Sequence, residues 1–141
     1  EQGGVWLKDS AAVAGLGVLG KNNLLVTKKV GPRVRLRAMF LSEDLPSTGP
    51  LDWDPCDGCD MPCRSHCPQN AFGAVTYRPE EYDGLERLPG RDGTYSLLTC
   101  DRQMALDESN EIREATDIPG YGTAHSVLKY CRECELNCRI R

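Results

Sequence analysis

The run Cys56-Asp57-Gly58-Cys59-Asp60-Met61-Pro62-Cys63-Arg64-Ser65-His66-Cys67-Pro68 fixes what the rest of the chain has to accommodate. Cys56, Cys59 and Cys63 sit on so tight a loop that their thiolates converge on one metal centre. Cys67 stands before a proline, which pushes the residue ahead of it out of the helical region. The turn that starts there throws Cys67 clear, towards a different centre. A second group closes the chain: Cys100, then Cys131-Arg-Glu-Cys134-Glu-Leu-Asn-Cys138, so that all eight cysteines fall into the two groups.

The spacing resembles the C-x2-C-x2-C-x3-C-P run of two-cluster iron–sulfur modules, in which the last cysteine of each run ligates the cluster of the other. Here the second gap carries one residue more, Asp60-Met61-Pro62, and a long insertion separates Cys100 from Cys131. Crossing the distal ligands gives one centre from Cys56, Cys59, Cys63 and Cys138, and another from Cys67, Cys100, Cys131 and Cys134. Two [4Fe–4S] clusters are the expected occupants, because soft thiolate donors suit iron bridged by sulfide. Structural zinc also uses C-x2-C pairs, but it leaves the C-x3-C-P tail without a purpose. Disulfides are the third reading. Eight cysteines in 141 residues are sparser than the roughly 8–10 % of a small disulfide scaffold, and they are bunched like metal loops. His66, between two ligands, reads first as a solvated residue and second as a tuning group.

The length of 141 residues allows a core that folds unaided. A net charge of −4 and a pI near 5.2 argue against a general nucleic-acid binder, which is strongly basic. No apolar run approaches the roughly 18 residues of a membrane span, and thiols bunched for metal point to a reducing cytoplasm. The start, Glu1-Gln2-Gly3-Gly4, reads as the continuation of a longer protein.

Along the chain, Asp9 or Ser10 is an expected N-cap for a short helix within 5–14 that ends on Gly15 and Gly17. Leu24–Thr27 reads as a buried strand. Arg33–Leu41 alternates charged with apolar residues, the period of a half-buried strand, and the two are expected to pair as a hairpin. The link 42–55 is rich in proline and acid and marks a boundary. Gln69–Phe72 reads as the end of a helical turn, 97–106 as a helix carrying Cys100, 107–120 as a charged loop and 122–131 as a second short helix.

Gly15-x-Gly17-x-x-Gly20 has the letters of a dinucleotide fingerprint, and Gly15-x4-Gly20-Lys21 nearly those of a phosphate loop. The context is wrong for both. Asn22 stands where a phosphate loop needs Ser or Thr, and a helix precedes and a strand follows, the reverse of a dinucleotide unit. Three glycines still permit close backbone approach to something flat or bulky, while a plain helix-to-strand turn is the simpler reading. Arg33, Arg35 and Arg37 share one strand face, with Lys28 and Lys29 nearby. Such a stripe suits a phosphate or a tRNA backbone, although charge on an edge strand is also routine protection against aggregation.

Ala14-Gly-Leu-Gly-Val-Leu-Gly-Lys-Asn-Asn-Leu-Leu-Val26, an alternating strand, a proline-rich link and the cysteine run, in that order, resemble the epoxyqueuosine reductase family. More distantly they resemble the iron–sulfur part of corrinoid reductive dehalogenases. The resemblance implies an α+β chain in which residues 1–45 are the end of a nitroreductase-like α/β cobalamin domain. Residues 46–141 are then a ferredoxin-like domain with two [4Fe–4S] clusters. It implies electrons passed from an external low-potential donor to cobalamin, with the cobalamin domain in cis or on a partner subunit. It places Gly15, Gly17, Gly20, Lys21 and Asn22 near the corrinoid, and makes tRNA a substrate type. Several features depart from the family. Asp9 lacks the spacing of its proton donor, Val18 replaces its tryptophan, Arg139 rather than proline follows Cys138, and most of the cobalamin domain is missing. Catalysis by this chain alone is therefore not expected. The alternative is a free-standing two-cluster electron carrier.

Overall fold

The computed structural model describes residues 6–46, 48–83, 88, 90–110, 112–114 and 125–140. Helix α1, Leu7–Val13, buries Ala11 and Ala12. It stops in a Schellman turn, because Gly15 adopts φ 78°. There the Gly15 amide bonds the Ala12 carbonyl at 3.0 Å and the Leu16 amide the Ala11 carbonyl at 3.0 Å. The helix begins earlier than its capping residues suggested. Trp6 is the N-cap, without a side-chain bond, and Asp9 lies in the first turn because it faces Arg91.

Strands β1, Val18–Leu19, and β2, Leu25–Val26, form an antiparallel hairpin with Val18 opposite Val26 and Leu19 opposite Leu25. All four residues are buried, and Ala11, Ala12, Leu19, Leu25 and Leu88 make one hydrophobic cluster with Val34 and Leu36 against it. Gly17 is required by this packing. A Cβ there would lie 2.5 Å from the Val26 carbonyl oxygen and 3.1 Å from its carbon, and backbone of a paired strand cannot step aside. Gly17→Ala is expected to cost about 1–3 kcal/mol, measured by chemical denaturation.

The hairpin differs from the expected one. Leu25–Val26 is a strand, but its partner comes from inside the glycine loop and not from Arg33–Leu41, which forms no ladder among the described residues. The chain turns at Thr27 and Gly31, joined by one isolated bridge, and Pro32 carries no amide hydrogen for a continued ladder. The alternation survives in burial alone, with Val34 and Leu36 half-buried and Arg35 and Arg37 exposed.

Helix α2, Pro62–Ser65, lies within the first cysteine run, after Met61 at φ 54° and with proline at its start. Gln69–Phe72, expected to end a helical turn, belongs to non-helical turns instead. Cys67 and Asn70, the latter at φ 51°, reverse the chain there. Helix α3, Leu97–Ser109, carries Cys100, and the Ser96 hydroxyl accepts from the Thr99 amide at 3.2 Å. It runs three residues further than expected. Strands β3, Ile112–Glu114, and β4, His125–Val127, pair antiparallel, so the expected loop and helix do not hold where they overlap these strands. His125-Ser-Val127 is a poor helix former. The rest of 111–124 lies outside the described residues. The last helix, α4, is Glu133–Leu136, and it packs against α2. Contacts also cross the expected boundary near residue 45: Thr48 Oγ1 bonds the Ala14 carbonyl at 2.5 Å, and the Gly15 α-carbon faces Gly49.

Candidate metal centres

The packing of α2 on α4 brings the two cysteine groups together. Cys56 and Cys59 belong to one turn, closed by a Cys59 amide bond to the Cys56 carbonyl at 3.1 Å. Cys63 is in α2, and Cys138 follows α4 with its amide on the Glu135 carbonyl at 3.3 Å. These four cysteines line one cavity, which Asn22, Val26 and Met61 help to close. Two sulfurs accept from backbone amides, Cys56 from Lys21 at 3.3 Å and Cys59 from Met61 at 3.4 Å. Burial first, then Cys138, Cys56 and Cys59, push the Cys63 thiol up to about 11. Cys56 is also pushed up by burial, against the pull of the Lys21 amide.

Cys67, Cys100, Cys131 and Cys134, expected as the second set, lie on segments linked by side-chain hydrogen bonds. Gln69 reaches Gln103 on α3 at 3.0 Å, which ties the Cys67 turn to the helix of Cys100. Gln103 in turn holds Asp107 at 2.8 Å, and Asp107 accepts from the Cys131 amide at 2.6 Å. The Ala71 amide donates to Cys67 sulfur at 3.3 Å. Burial, then Cys100, Cys131 and Cys67, push Cys134 up to about 11. Tyr95 is pushed up by burial and by its hydrogen bond to Cys100. Lys8 is lowered by burial and by Arg91, while Asp9, Cys134 and Cys100 oppose the shift.

Cys56, Cys63, Cys131 and Cys134 are each raised, first by burial, and cysteines expected in the same set of four add to the shift. Thiols crowded this way resist ionising together, and a bound cation reverses that preference. Among the described residues, no group of three or more His, Cys, Asp or Glu side chains is gathered as for a single metal ion.

The raised thiols have a consequence for the metal-free chain. Unfolded cysteine ionises near pH 8.5, whereas Cys63 and Cys134 stay neutral in the fold up to about 11. Their contribution to stability is full below the unfolded value and is lost as pH rises through the folded one. Metal-free protein is expected to lose melting temperature steadily from about pH 8.5 upward. Metal-loaded protein, whose ligands are already thiolates, should lose less over the same range. Thermal melts across that range check both.

Of the glycine-loop residues expected beside a corrinoid, Gly20, Lys21 and Asn22 are packed against the cysteine loops, while Gly15 faces Gly49 and Gly17 faces Val26. A Cβ at Gly20 would meet Val26 Cγ2 at 2.8 Å and Asn22 Oδ1 at 2.9 Å, with Cys56 sulfur at 3.7 Å. Lys21 is 3.6 Å from Asp92, and Asn22 is 2 % exposed. None of Gly15, Gly17, Gly20, Lys21 or Asn22 lines the open pocket of about 680 Å³ bounded by Trp6, Asp9, Tyr77, Tyr82, Asp83 and Arg91. Two of the three arginines of the expected stripe turn to the end of the chain. Arg33 bonds the Ile140 carbonyl at 3.4 Å and Arg35 lies 3.8 Å from the buried Glu135 carboxylate. His66 is exposed, with Nδ1 2.8 Å from the Pro62 carbonyl. Sequence reading missed Arg64, whose guanidinium holds Asp92 at 2.6 Å and the Lys21 carbonyl at 2.6 Å. Nothing in its spacing marks it, because its partners lie far away along the chain.

Fold and site define a cysteine-rich chain with eight free thiols, four of which, Cys56, Cys59, Cys63 and Cys138, line one cavity. No family model matches it, and no solved structure does. It is similar to the epoxyqueuosine reductase of Pseudomonas aeruginosa, 37% identical over 130 residues that cover 85% of this chain and 36% of that protein. The chain thus spans little more than a third of that relative's length, and the likeness points to an oxidoreductase-related role. Among the described residues, no helix is long and apolar enough to cross a membrane.

Proposed function

We propose that this chain is the electron-relay part of a reductase of the epoxyqueuosine reductase kind, with a ferredoxin-like domain that carries two [4Fe–4S] clusters. Cys56, Cys59, Cys63 and Cys138 hold one cluster, and Cys67, Cys100, Cys131 and Cys134 hold the other. The observation that carries this reading is the cavity that Cys56, Cys59 and Cys63 of one run line together with Cys138, the distal cysteine of the other. The donor set fits the group. Eight thiols supply the eight ligands that two such clusters need, and the amides of Lys21, Met61 and Ala71 supply the N–H···S bonds that raise cluster potential.

When bound, the clusters accept and release single electrons at low potential. The chain's own part is to hold sulfur as thiolate and to shield it by burial. The electrons come from an external low-potential donor in the cytoplasm. Their acceptor is a cobalamin carried by the rest of a longer chain or by a partner subunit, and the reductase substrate belongs to that larger assembly.

Anaerobic reconstitution tests the reading. About eight iron and eight sulfide per chain, with visible absorption bleached by dithionite, is the expected result. Colourless protein with one zinc per four thiols, or disulfides throughout, would overturn it. Cobalamin binding, assayed with the longer protein, separates the reductase from a free-standing electron carrier, which takes up clusters but no corrinoid.

A further inference from the structure

The turn Gly20-Lys21-Asn22 touches both cysteine sets at once. The Lys21 amide donates to Cys56 sulfur at 3.3 Å, and its carbonyl accepts from Arg64, the neighbour of Cys63, at 2.6 Å. One residue on, Asn22 lines the cavity of Cys56, Cys59, Cys63 and Cys138. Its amide nitrogen donates to the Cys134 carbonyl, in the second set, at 3.1 Å. Its oxygen accepts from the Leu24 amide at 3.2 Å, which fixes the side chain from the other end. A carboxamide this buried stays only if both ends are bonded. Asn22 uses its two ends to span from the hairpin to the second set while it walls the first.

We propose that Asn22 is a positioning residue that fixes the separation and relative orientation of the two centres. This inference rests on the two-cluster reading above. Transfer between the centres moves one electron from the reduced centre to the oxidised one, with no bond made or broken, and an external one-electron donor refills the first. Its ease depends on a constant separation, and Asn22 holds that constant from a buried two-strand hairpin.

The experiment uses the full chain, reconstituted anaerobically and reduced with dithionite, as wild type, Asn22→Ala and Asn22→Asp. Iron and sulfide content, thermal melting, the midpoint potential of each cluster and the spin–spin coupling of the fully reduced protein are measured together. Asn22→Ala is expected to weaken or broaden the coupling between reduced clusters at full iron content. Asn22→Asp places a negative charge beside both centres and should shift both midpoints downward. Should Asn22→Ala fail to retain clusters, the near-isosteric Asp variant decides alone. Lower melting temperature with wild-type coupling and midpoints would mean a purely structural role and would overturn the inference. Wild-type protein that takes up no iron and sulfide would instead overturn the two-cluster reading, and this inference with it.

Discussion

Cys138→Ala and Cys63→Ala are expected to give the same product, a chain with about four of its eight iron atoms and the spectrum of the second cluster alone. Cys67→Ala and Cys134→Ala should give the complementary chain, with the first cluster alone. The pairing is not the one that proximity in sequence suggests. Cys138 follows Cys134 after three residues, yet Cys63 feels Cys138 ahead of its own neighbours in the first run. Cys134 feels Cys67 and not Cys138 among its principal neighbours. Iron and sulfide analysis with paramagnetic resonance of the reduced protein separates the two products. If the Cys138→Ala spectrum matched that of Cys134→Ala, the crossed assignment would be wrong, whatever the total iron.

The closeness of Cys56, Cys59 and Cys63, which line one cavity, was legible in sequence because cysteine spacing acts over one or two turns of chain, where geometry leaves few choices. Helices α1 and α3 were legible for the same reason, through Gly15 at the end of one and local patterning in the other. What sequence could not supply was decided by partners far away in the chain. The alternation of Arg33–Leu41 holds as burial only at Val34 and Leu36, while Met39, Phe40 and Leu41 are exposed, and the segment is not a strand. A ladder needs a second strand at hydrogen-bonding distance, and Leu25–Val26 already pairs with Val18–Leu19. The helix expected over 122–131 was drawn where β4 and the closing cysteines compete. The roles of Lys21 and Asn22 were hidden inside a glycine motif that resembles phosphate and dinucleotide loops. Their contacts reach Cys56 and Cys134, and no periodicity reports such distances. Arg64, Asp92 and Tyr95 were missed for the same reason.

Arg91→Ala should be the most damaging change outside the thiols and the hydrophobic cluster. Its guanidinium meets the Asp9 carboxylate through both oxygens, at 2.8 and 2.9 Å, and also donates to the Asn23 side-chain oxygen. Asn23 is the left-handed residue at the hairpin tip, φ 59°, and its carbonyl is held by Lys8 at 2.8 Å. Helix α1 and Arg91 together therefore grip the residue that follows Asn22. Removing one partner of a well-buried pair costs about 3–5 kcal/mol. Arg91 and Asp9 are 18% and 23% exposed, so water screens part of this, and about 2–3 kcal/mol is the expected loss. Lys8 recovers some of it, because its amine is no longer repelled by Arg91 and can turn to the orphaned carboxylate. The pair as a whole is more dispensable than either half. Arg91→Met with Asp9→Asn leaves no unpaired charge and should restore most of the stability, by the same reasoning that makes paired removal of buried ions nearly neutral. The hairpin tip links this to the clusters. Once Asn23 is loosened, the Asn22 bond to Cys134 and the Lys21 bond to Cys56 lose their anchor, so Arg91→Ala should shed iron faster in a chelator challenge. The double variant should shed it at an intermediate rate, since it restores charge balance but not the guanidinium's hold on Asn23. Equal rates for wild type and Arg91→Ala would show that the grip on the tip has no bearing on the metal centres.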